Sequence, residues 1–217
     1  NDNVDGLLIK TNPEGIKQWE KIIGGEGNND EIYSVRQTND SGFILAGLTN
    51  SFGSGSSDAY LIKTDSQGNL VWQRTFGGSS ADWAHSVQQT NDLGFILVGK
   101  TDSFGGGLGD AYLIKTDVNG DKIWEKILGG RGEDWAHSVQ QTNDLGYILG
   151  GGMDNGAGLD IYLAKFSPEN DSIVKKTSRN NFPERSEDAR NLTFVTHGWN
   201  SSADTWVNDM ANSIADH

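Results

Sequence analysis

Residues 58–109 read DAYLIKTDSQGNLVWQRTFGGSSADWAHSVQQTNDLGFILVGKTDSFGGGLG, and nearly the same sequence returns over residues 110–151 as DAYLIKTDVNGDKIWEKILGGRGEDWAHSVQQTNDLGYILGG. A more divergent copy precedes them, with DGLLIKTNPEGIKQWEKIIGG at residues 5–25 and EIYSVRQTNDSGFILAGLTNS at residues 31–51. Trp19, Trp72 and Trp124 mark the period, at intervals of 53 and 52 residues. Self-similarity at this period predicts a repeat architecture, in which each copy is one supersecondary unit.

Each repeat contains four short runs with the composition of β-strands. In the middle copy they are HSVQQT, GFILVGKT, YLIKT and LVWQRTF, at residues 85–90, 94–101, 60–64 and 70–76. These runs are rich in β-branched and aromatic residues, which suit a pleated and half-buried surface. Four antiparallel strands in about 40 to 50 residues are the size of one β-propeller blade. The run FILVG is apolar on both faces, as expected of a strand with sheets packed on either side.

Tight turns are predicted between the strands. Residues 65–68 and 117–120 place Asp at the start of a turn and Gly where a positive φ is expected, and residues 91–94 are interpreted in the same way. The repeated Trp72 and Trp124 are expected to anchor the packing of one blade on the next.

The repeats predict an all-β fold, a partial β-propeller of about three and a half four-stranded antiparallel blades. Residues 5–11 and 16–22 match the third and fourth strands of a blade, and complete blades are predicted over residues 33–76 and 85–128. A last copy begins at residue 137 and its fourth strand is degenerate, with Val174 at the Trp position. We expect an excerpt of a larger ring, with propeller repeats over residues 1–177 and a polar linker over residues 178–190.

The repeat resembles the tandem β-propeller repeats of secreted and cell-surface bacterial and archaeal proteins, over residues 4–166. The resemblance implies a secreted or cell-surface location and a propeller fold, while the propeller's ligand stays unidentified, since propellers host many functions.

A short strand-turn-helix α/β segment is predicted after the linker. LTFVT, residues 192–196, is a buried-strand run, HGWNSS at residues 197–202 is a turn, and the apolar residues of 203–216 have helical spacing. Such a strand, glycine turn and helix open an α/β unit and not another blade.

LTFVTHGWNSSADTWVNDMA resembles the oxyanion-hole segment of lipases in the α/β-hydrolase superfamily, so that residues 191–217 are interpreted as the truncated start of such a domain. The resemblance implies that the backbone N–H of Trp199 donates to the oxyanion, that Gly198 permits the turn, and that His197 is a structural residue of the motif. It also implies an ester or lipid substrate.

The remaining catalytic parts of that family are absent from the sequence. No G-x-S-x-G nucleophile elbow occurs, and the nearest approach, GGSSA at residues 77–81, lies in a blade loop. We therefore expect a fragment of a secreted multidomain serine hydrolase that is inactive by itself. Its propeller would be a non-catalytic binding or spacer module.

Composition excludes several classes of partner and site. The formal net charge of −13 repels nucleic-acid phosphates and anionic membranes, and no apolar run is long enough to span a membrane. There is no Cys, which excludes disulfides and thiolate-bound zinc. The share of glycine, 29 of 217 residues, exceeds the usual ~7% of a protein sequence and fits a protein with many turns.

Two metal hypotheses follow from the repeats. His85 and His137 lie in DWAHSV beside Asp82 and Asp134, but Tyr33 replaces the histidine in the first copy, so a structural role is predicted. The turn that begins at Asp117 is similar to a calcium loop but lacks its later Glu, and a hairpin turn explains it. No cofactor is predicted, with calcium as the alternative.

Two other functions stay open. One is a non-enzymatic adhesion or scaffolding protein of the cell surface. The other is a propeller enzyme with a site in its central channel, lined by Gln88 and Gln140 or by Gln89 and Gln141 of the innermost strands.

Overall fold

A computed structural model describes residues 5–26, 28–154 and 159–166. Thirteen β-strands form within them, and no helix occurs in these ranges. The strands are β1 (Gly6–Thr11), β2 (Lys17–Ile23), β3 (Asp30–Gln37), β4 (Phe43–Thr49), β5 (Asp58–Thr64), β6 (Leu70–Phe76), β7 (Asp82–Gln89), β8 (Phe95–Thr101), β9 (Asp110–Thr116), β10 (Lys122–Leu128), β11 (Asp134–Gln141), β12 (Tyr147–Asp154) and β13 (Leu159–Phe166). The all-β prediction is confirmed for this part of the chain.

The strands form four antiparallel sheets, each a meander of consecutive strands. Sheet 1 is β1-β2, sheet 2 is β3-β4-β5-β6, sheet 3 is β7-β8-β9-β10, and sheet 4 is β11-β12-β13. The predicted order of four strands within a repeat is thus confirmed. Each first strand begins three residues earlier than predicted, because Asp30 and Asp82 pair with Thr49 and Thr101 of the second strands.

The core lies between successive sheets and not within one of them. On β4, Ile44 and Ala46 face sheet 3, whereas Leu45 faces sheet 1. β5 and β9 are buried along their whole length. Since alternate side chains of a strand point to opposite faces, this burial requires a sheet on either side. The arrangement is propeller-like, and it explains why FILVG is apolar throughout.

The tryptophans of the fourth strands join neighbouring sheets, as predicted. Each indole meets an aromatic ring on the second strand of the next sheet at an interplanar angle of 64–70°, an edge-on geometry that aromatic pairs prefer. The ring centroids are 5.7–5.8 Å apart in the pairs Trp19–Phe43, Trp72–Phe95 and Trp124–Tyr147.

The turns of the repeat are of two kinds, and one was predicted wrongly. Gly68 and Gly120 adopt φ of 75° and 79°, as expected. In the turn at residues 91–94, however, the positive φ of 65° belongs to Leu93 and not to Gly94. Gly94 is needed for another reason, because a Cβ there would stand 2.2 Å from the carbonyl oxygen of Thr116.

The linker (178–190), the degenerate fourth strand around residue 174 and the strand-turn-helix segment (191–217) lie outside the described residues. Within the described ranges, no helix has the length and apolar character that crossing a membrane would require.

Candidate functional site

A β-bulge interrupts the first strand of sheets 2, 3 and 4 at the same position. The pairing register shifts between Ile32 and Ser34, and equivalently between residues 84 and 86 and between residues 136 and 138. The residues left unpaired at these shifts are Tyr33, His85 and His137. Bulges re-aim a side chain out of the regular alternation.

The three bulge residues form a row across three sheets. The ring centroids of Tyr33 and His85 are 5.6 Å apart, and those of His85 and His137 are 4.7 Å apart. The row is possible because β7 lies between β3 and β11. We call these three side chains the bulge row.

His85 is fixed as a neutral donor within the bulge row. Its Nδ1 lies 3.0 Å from the carbonyl oxygen of Ala136, which can only accept, so Nδ1 carries the proton. Burial lowers the pKa of His85, and the nearby His137 and Lys100 lower it further, against the opposing effect of the hydrogen bond to Ala136. This contact joins sheets 3 and 4 and fits the structural role predicted for the repeated histidine.

The glutamines that a channel site would require make contacts between sheets. The side-chain oxygen of Gln88 accepts from the backbone N–H of Gln141 at 2.7 Å. The side-chain oxygens of Gln89 and Gln141 accept from the N–H groups of Asn39 and Asn91 in neighbouring turns. Gln140 is exposed. Gln88, Gln89 and Gln141 therefore serve contacts between sheets, whereas no such contact involves Gln140 in the described residues.

A second repeated feature is a pair of aspartates on either side of a glycine. A Cβ on Gly77 would stand 2.4 Å from Oδ1 of Asp58 and 2.5 Å from Oδ2 of Asp82. The pairs Asp5/Asp30 and Asp110/Asp134 approach Gly24 and Gly129 in the same way. Only glycine fits between the two carboxyl groups, which accounts for Gly24, Gly77 and Gly129, the first glycines of the Gly-Gly pairs that follow the fourth strands.

Asp82 holds two loops together from a fully buried position. Its Oδ2 accepts from the N–H of Gly78 at 2.9 Å and from the hydroxyl of Ser103 at 2.6 Å. Asp30 makes the equivalent contacts with Gly25 and Ser51. Gly25 and Gly78 lie in loops that follow a fourth strand. Ser51 and Ser103 lie in loops that follow the second strand of the next sheet.

Asp58 anchors the glycine-rich loop that precedes it. Its Oδ2 accepts from the N–H of Ser54 at 2.8 Å, and Gly53 beside it has a φ of 92°. Burial raises the pKa of Asp58; the Ser54 N–H lowers it, and the negative charge of Asp82 raises it again. The equivalent loop one repeat later is held in the same way, since the N–H of Gly106 donates to Oδ2 of Asp110 at 3.1 Å.

The carboxylate of Asp117, at the start of a turn, is hydrogen bonded within that turn. Its Oδ1 accepts from the N–H groups of Asn119 and Asp121, both at 2.9 Å. These are the hydrogen bonds of the predicted hairpin turn. In the described residues, no group of three or more His, Cys, Asp or Glu side chains is arranged to hold a metal ion.

The predicted oxyanion residues His197, Gly198 and Trp199 lie outside the described residues, so their geometry stays a prediction. The bulge row and the aspartate pairs were not predicted as sites. A Gly-Gly stands five residues before both Asp82 and Asp134, but this recurrence does not show which residues meet across a junction of two sheets.

Comparison with known proteins gives a limited result. No family model matches the chain. A stretch of 144 residues is 24% identical to the regulatory protein FlaEY of Caulobacter vibrioides. This match covers 56% of the chain and 15% of FlaEY, so the chain spans a small fraction of that relative.

Proposed function

We propose that sheets 1 to 4 are blades of a β-propeller that acts as a non-catalytic binding or spacer module in a secreted, lipase-like serine hydrolase. The four sheets follow one another with the same packing, the same tryptophan contact and the same loop positions. A rigid series of sheets of this kind can hold a catalytic domain at a distance or present loops to a ligand.

One observation carries the non-catalytic part of this proposal. The polar side chains that repeat in the described region are used to hold sheets and loops together. His85 donates to the backbone carbonyl of Ala136, and the side-chain oxygen of Gln88 accepts from the backbone N–H of Gln141. These side chains are thus used in contacts between sheets 3 and 4.

The hydrolase part rests on the resemblance of residues 191–217 to the oxyanion segment of lipases. In the proposal, the Trp199 N–H stabilises the negative charge that develops on the carbonyl oxygen of an ester. The nucleophile, acid and base would belong to a longer protein.

A second candidate uses the repeats without any catalytic domain. The similarity to FlaEY, which bears the name of a regulatory protein, is compatible with it. A non-enzymatic scaffolding or adhesion protein of the cell surface, whose repeats contact another protein, would need no hydrolase domain.

The two candidates are separated by the coding sequence beyond residue 217. A strand–G-x-S-x-G–helix unit there would favour the hydrolase, and its absence over the next domain length would favour the scaffold. In a longer protein that contains this strand–G-x-S-x-G–helix unit, Trp199→Pro removes the proposed donor N–H. The substitution should lower kcat on p-nitrophenyl esters by about 10²–10³-fold. Trp199→Phe keeps the N–H and is the matched control.

The 217-residue chain itself should release no p-nitrophenol from acetate or butyrate esters above the buffer rate. Turnover that survives purification and disappears on substitution of a residue in the bulge row would contradict a non-catalytic propeller.

A further inference from the structure

The outer face of sheet 1, which points away from sheet 2, carries an exposed apolar patch. Leu8 and Ile23 pack in the core shared with sheet 2. Since alternate side chains of a strand point to opposite faces, Leu7, Ile9 and Ile22 lie on the outer face. They are 60%, 48% and 74% exposed, and Leu7 pairs directly with Ile22 across the two strands. We call these three side chains the sheet 1 patch.

The same repeat positions are buried where another sheet precedes. Ile9 corresponds to Ile62 and Ile114, which are 0% and 1% exposed. Ile22 corresponds to Ile127, which packs against the core between sheets 2 and 3. The sheet 1 patch therefore has the side chains of a sheet junction, although no sheet lies against it within the described residues.

The opposite end of the series, sheet 4, carries the other half of such a junction. Tyr147 and Leu149 face sheet 3, so Ile148 between them lies on the outer face. Ile148 is partly exposed, whereas its equivalents Ile44 and Ile96 are fully buried against the sheet that follows them. One chain therefore presents both partners of a junction, one on its first described sheet and the other on its last.

We propose that the sheet 1 patch packs against the outer face of sheet 4 in a second copy of this chain, so that copies associate head to tail. The contact would continue the packing that joins sheets 1 to 2, 2 to 3 and 3 to 4. At the junction of sheets 2 and 3, Ile44 shares a core with Ile114. Ile148 of one copy would meet Ile9 of the other in the same way.

A second copy is the partner that the repeats specify, because the junctions within the chain show which surface covers each patch. The contact joins two different surfaces and is therefore heterologous, which gives a closed ring if its geometry closes and an open chain of copies if it does not. Each copy has a formal net charge of −13, so electrostatic repulsion opposes association and added salt should strengthen it. The contact does not depend on the proposed function.

The test is the mass of the full 217-residue chain in solution, measured by sedimentation velocity over a range of concentrations in about 0.15 M NaCl. Species larger than one chain should form reversibly as the concentration rises. Ile22→Lys should weaken this association by about tenfold or more, because it places a charge in an apolar contact. Ile123→Lys is the matched control, because Ile123 is 57% exposed on sheet 3, lies outside the sheet 1 patch and gains the same charge. Both substitutions lower the negative charge of the chain, so a general charge effect would favour association.

Ile148→Lys tests the other half of the contact. Ile22→Lys and Ile148→Lys should each be mainly monomeric alone, whereas an equimolar mixture should form dimers. The reason is that the mixture still contains one intact sheet 1 patch and one intact outer face of sheet 4. Circular dichroism shows whether each variant is folded, and Ile148→Thr, which keeps a β-branched side chain, replaces Ile148→Lys if the lysine variant does not fold.

Three results would overturn the proposal. One is the mass of a single chain at every concentration up to about 1 mM, which would leave the sheet 1 patch to a segment of the same chain. Another is an equal loss of association in Ile22→Lys and Ile123→Lys. The third is association that is lost in Ile22→Lys but retained in a folded Ile148 variant, which would show that two sheet 1 patches pair face to face.

Discussion

The indole ring of Trp72 lies 5.7 Å from the ring of Phe95 with the two planes at 64°, and the two residues belong to different sheets. The same indole also meets the backbone of Gly120, where a Cβ would stand 2.6 Å from the ring. Trp72 thus contacts sheet 3 at two places, and its removal tests how strongly one sheet depends on the next.

Trp72→Ala should destabilise the chain by roughly 3 kcal/mol, since it removes an aromatic pair and opens a cavity between two sheets. Urea unfolding followed by far-UV circular dichroism measures the loss. Val71→Ala is the matched control on the same strand, because Val71 is 58% exposed, and it should change stability by less than about 0.5 kcal/mol. Equal effects of the two substitutions would contradict the packing role of the tryptophan.

Gly77→Ala should destabilise the chain by roughly 1–3 kcal/mol, because the added methyl group would overlap the carboxyl oxygens of Asp58 and Asp82. Gly106→Ala is the control, as the nearest atom to its Cβ would be 3.9 Å away. Thermal unfolding of both variants compares them directly. A neutral Gly77→Ala would show that the two carboxyl groups can move apart at little cost.

Acid should weaken the turn that Asp40 closes. Hydrogen bonds from Thr38 and Lys63 lower the pKa of Asp40 from its ordinary 3.8 to about 2, with help from the N–H of Gly42 and against a small opposing effect of burial. A carboxyl whose folded pKa is depressed stabilises the fold above its unfolded pKa, and this contribution is lost as the pH falls from about 4 to about 2.

The measurement is urea unfolding of the wild type and Asp40→Asn between pH 2 and pH 6. The wild type should be the more stable protein at pH 6, and the difference should shrink as the pH falls toward 2, where the carboxyl is protonated in the unfolded state and about half protonated in the folded state. A difference that stays constant across this range would contradict the assignment.

Leu93→Asn should stabilise the chain by about 0.5–1 kcal/mol, because Leu93 has a φ of 65° and asparagine tolerates the left-handed region better than leucine. Leu108→Asn is the control: Leu108 is 77% exposed and is not among the residues with positive φ. Chemical unfolding of the two variants gives the comparison. A destabilised Leu93→Asn would mean that the leucine side chain contributes packing that outweighs the strain.

His85 should titrate below its ordinary pKa of 6.5, since burial and the neighbouring His137 and Lys100 disfavour its charged form. The unfolded chain then binds more protons than the folded chain between the two pKa values, so stability should fall as the pH drops below about 6.5.

Nitrogen-15 NMR of the imidazoles should show the proton on Nδ1 of His85 at neutral pH. A spectrum with the proton on Nε2 would contradict the hydrogen bond to Ala136.

The strands and their order were accessible from the sequence because short apolar runs, β-branched and aromatic composition and flanking turn residues all agree within each repeat. The turn at residues 91–94 was misassigned because glycine serves two purposes, a positive φ and a close approach, and the sequence does not distinguish them. Gly94 serves the second purpose.

The bulge row and the aspartate pairs were inaccessible for a different reason. His85 meets Tyr33 and His137, and Asp58 meets Asp82, only after sheets from different repeats have packed together. The sequence showed that these positions recur but not which of them are neighbours across a junction.

The contact between a tryptophan and the next sheet has an evolutionary consequence. Trp72 and Phe95 occupy repeat positions that Trp124 and Tyr147 occupy one copy later. A gene duplication that inserts one whole copy therefore supplies both halves of the new junction at once, and the array can lengthen by unequal recombination without any compensating substitution. Near identity between adjacent copies, as in residues 58–109 and 110–151, is the signature that such a recent event would leave.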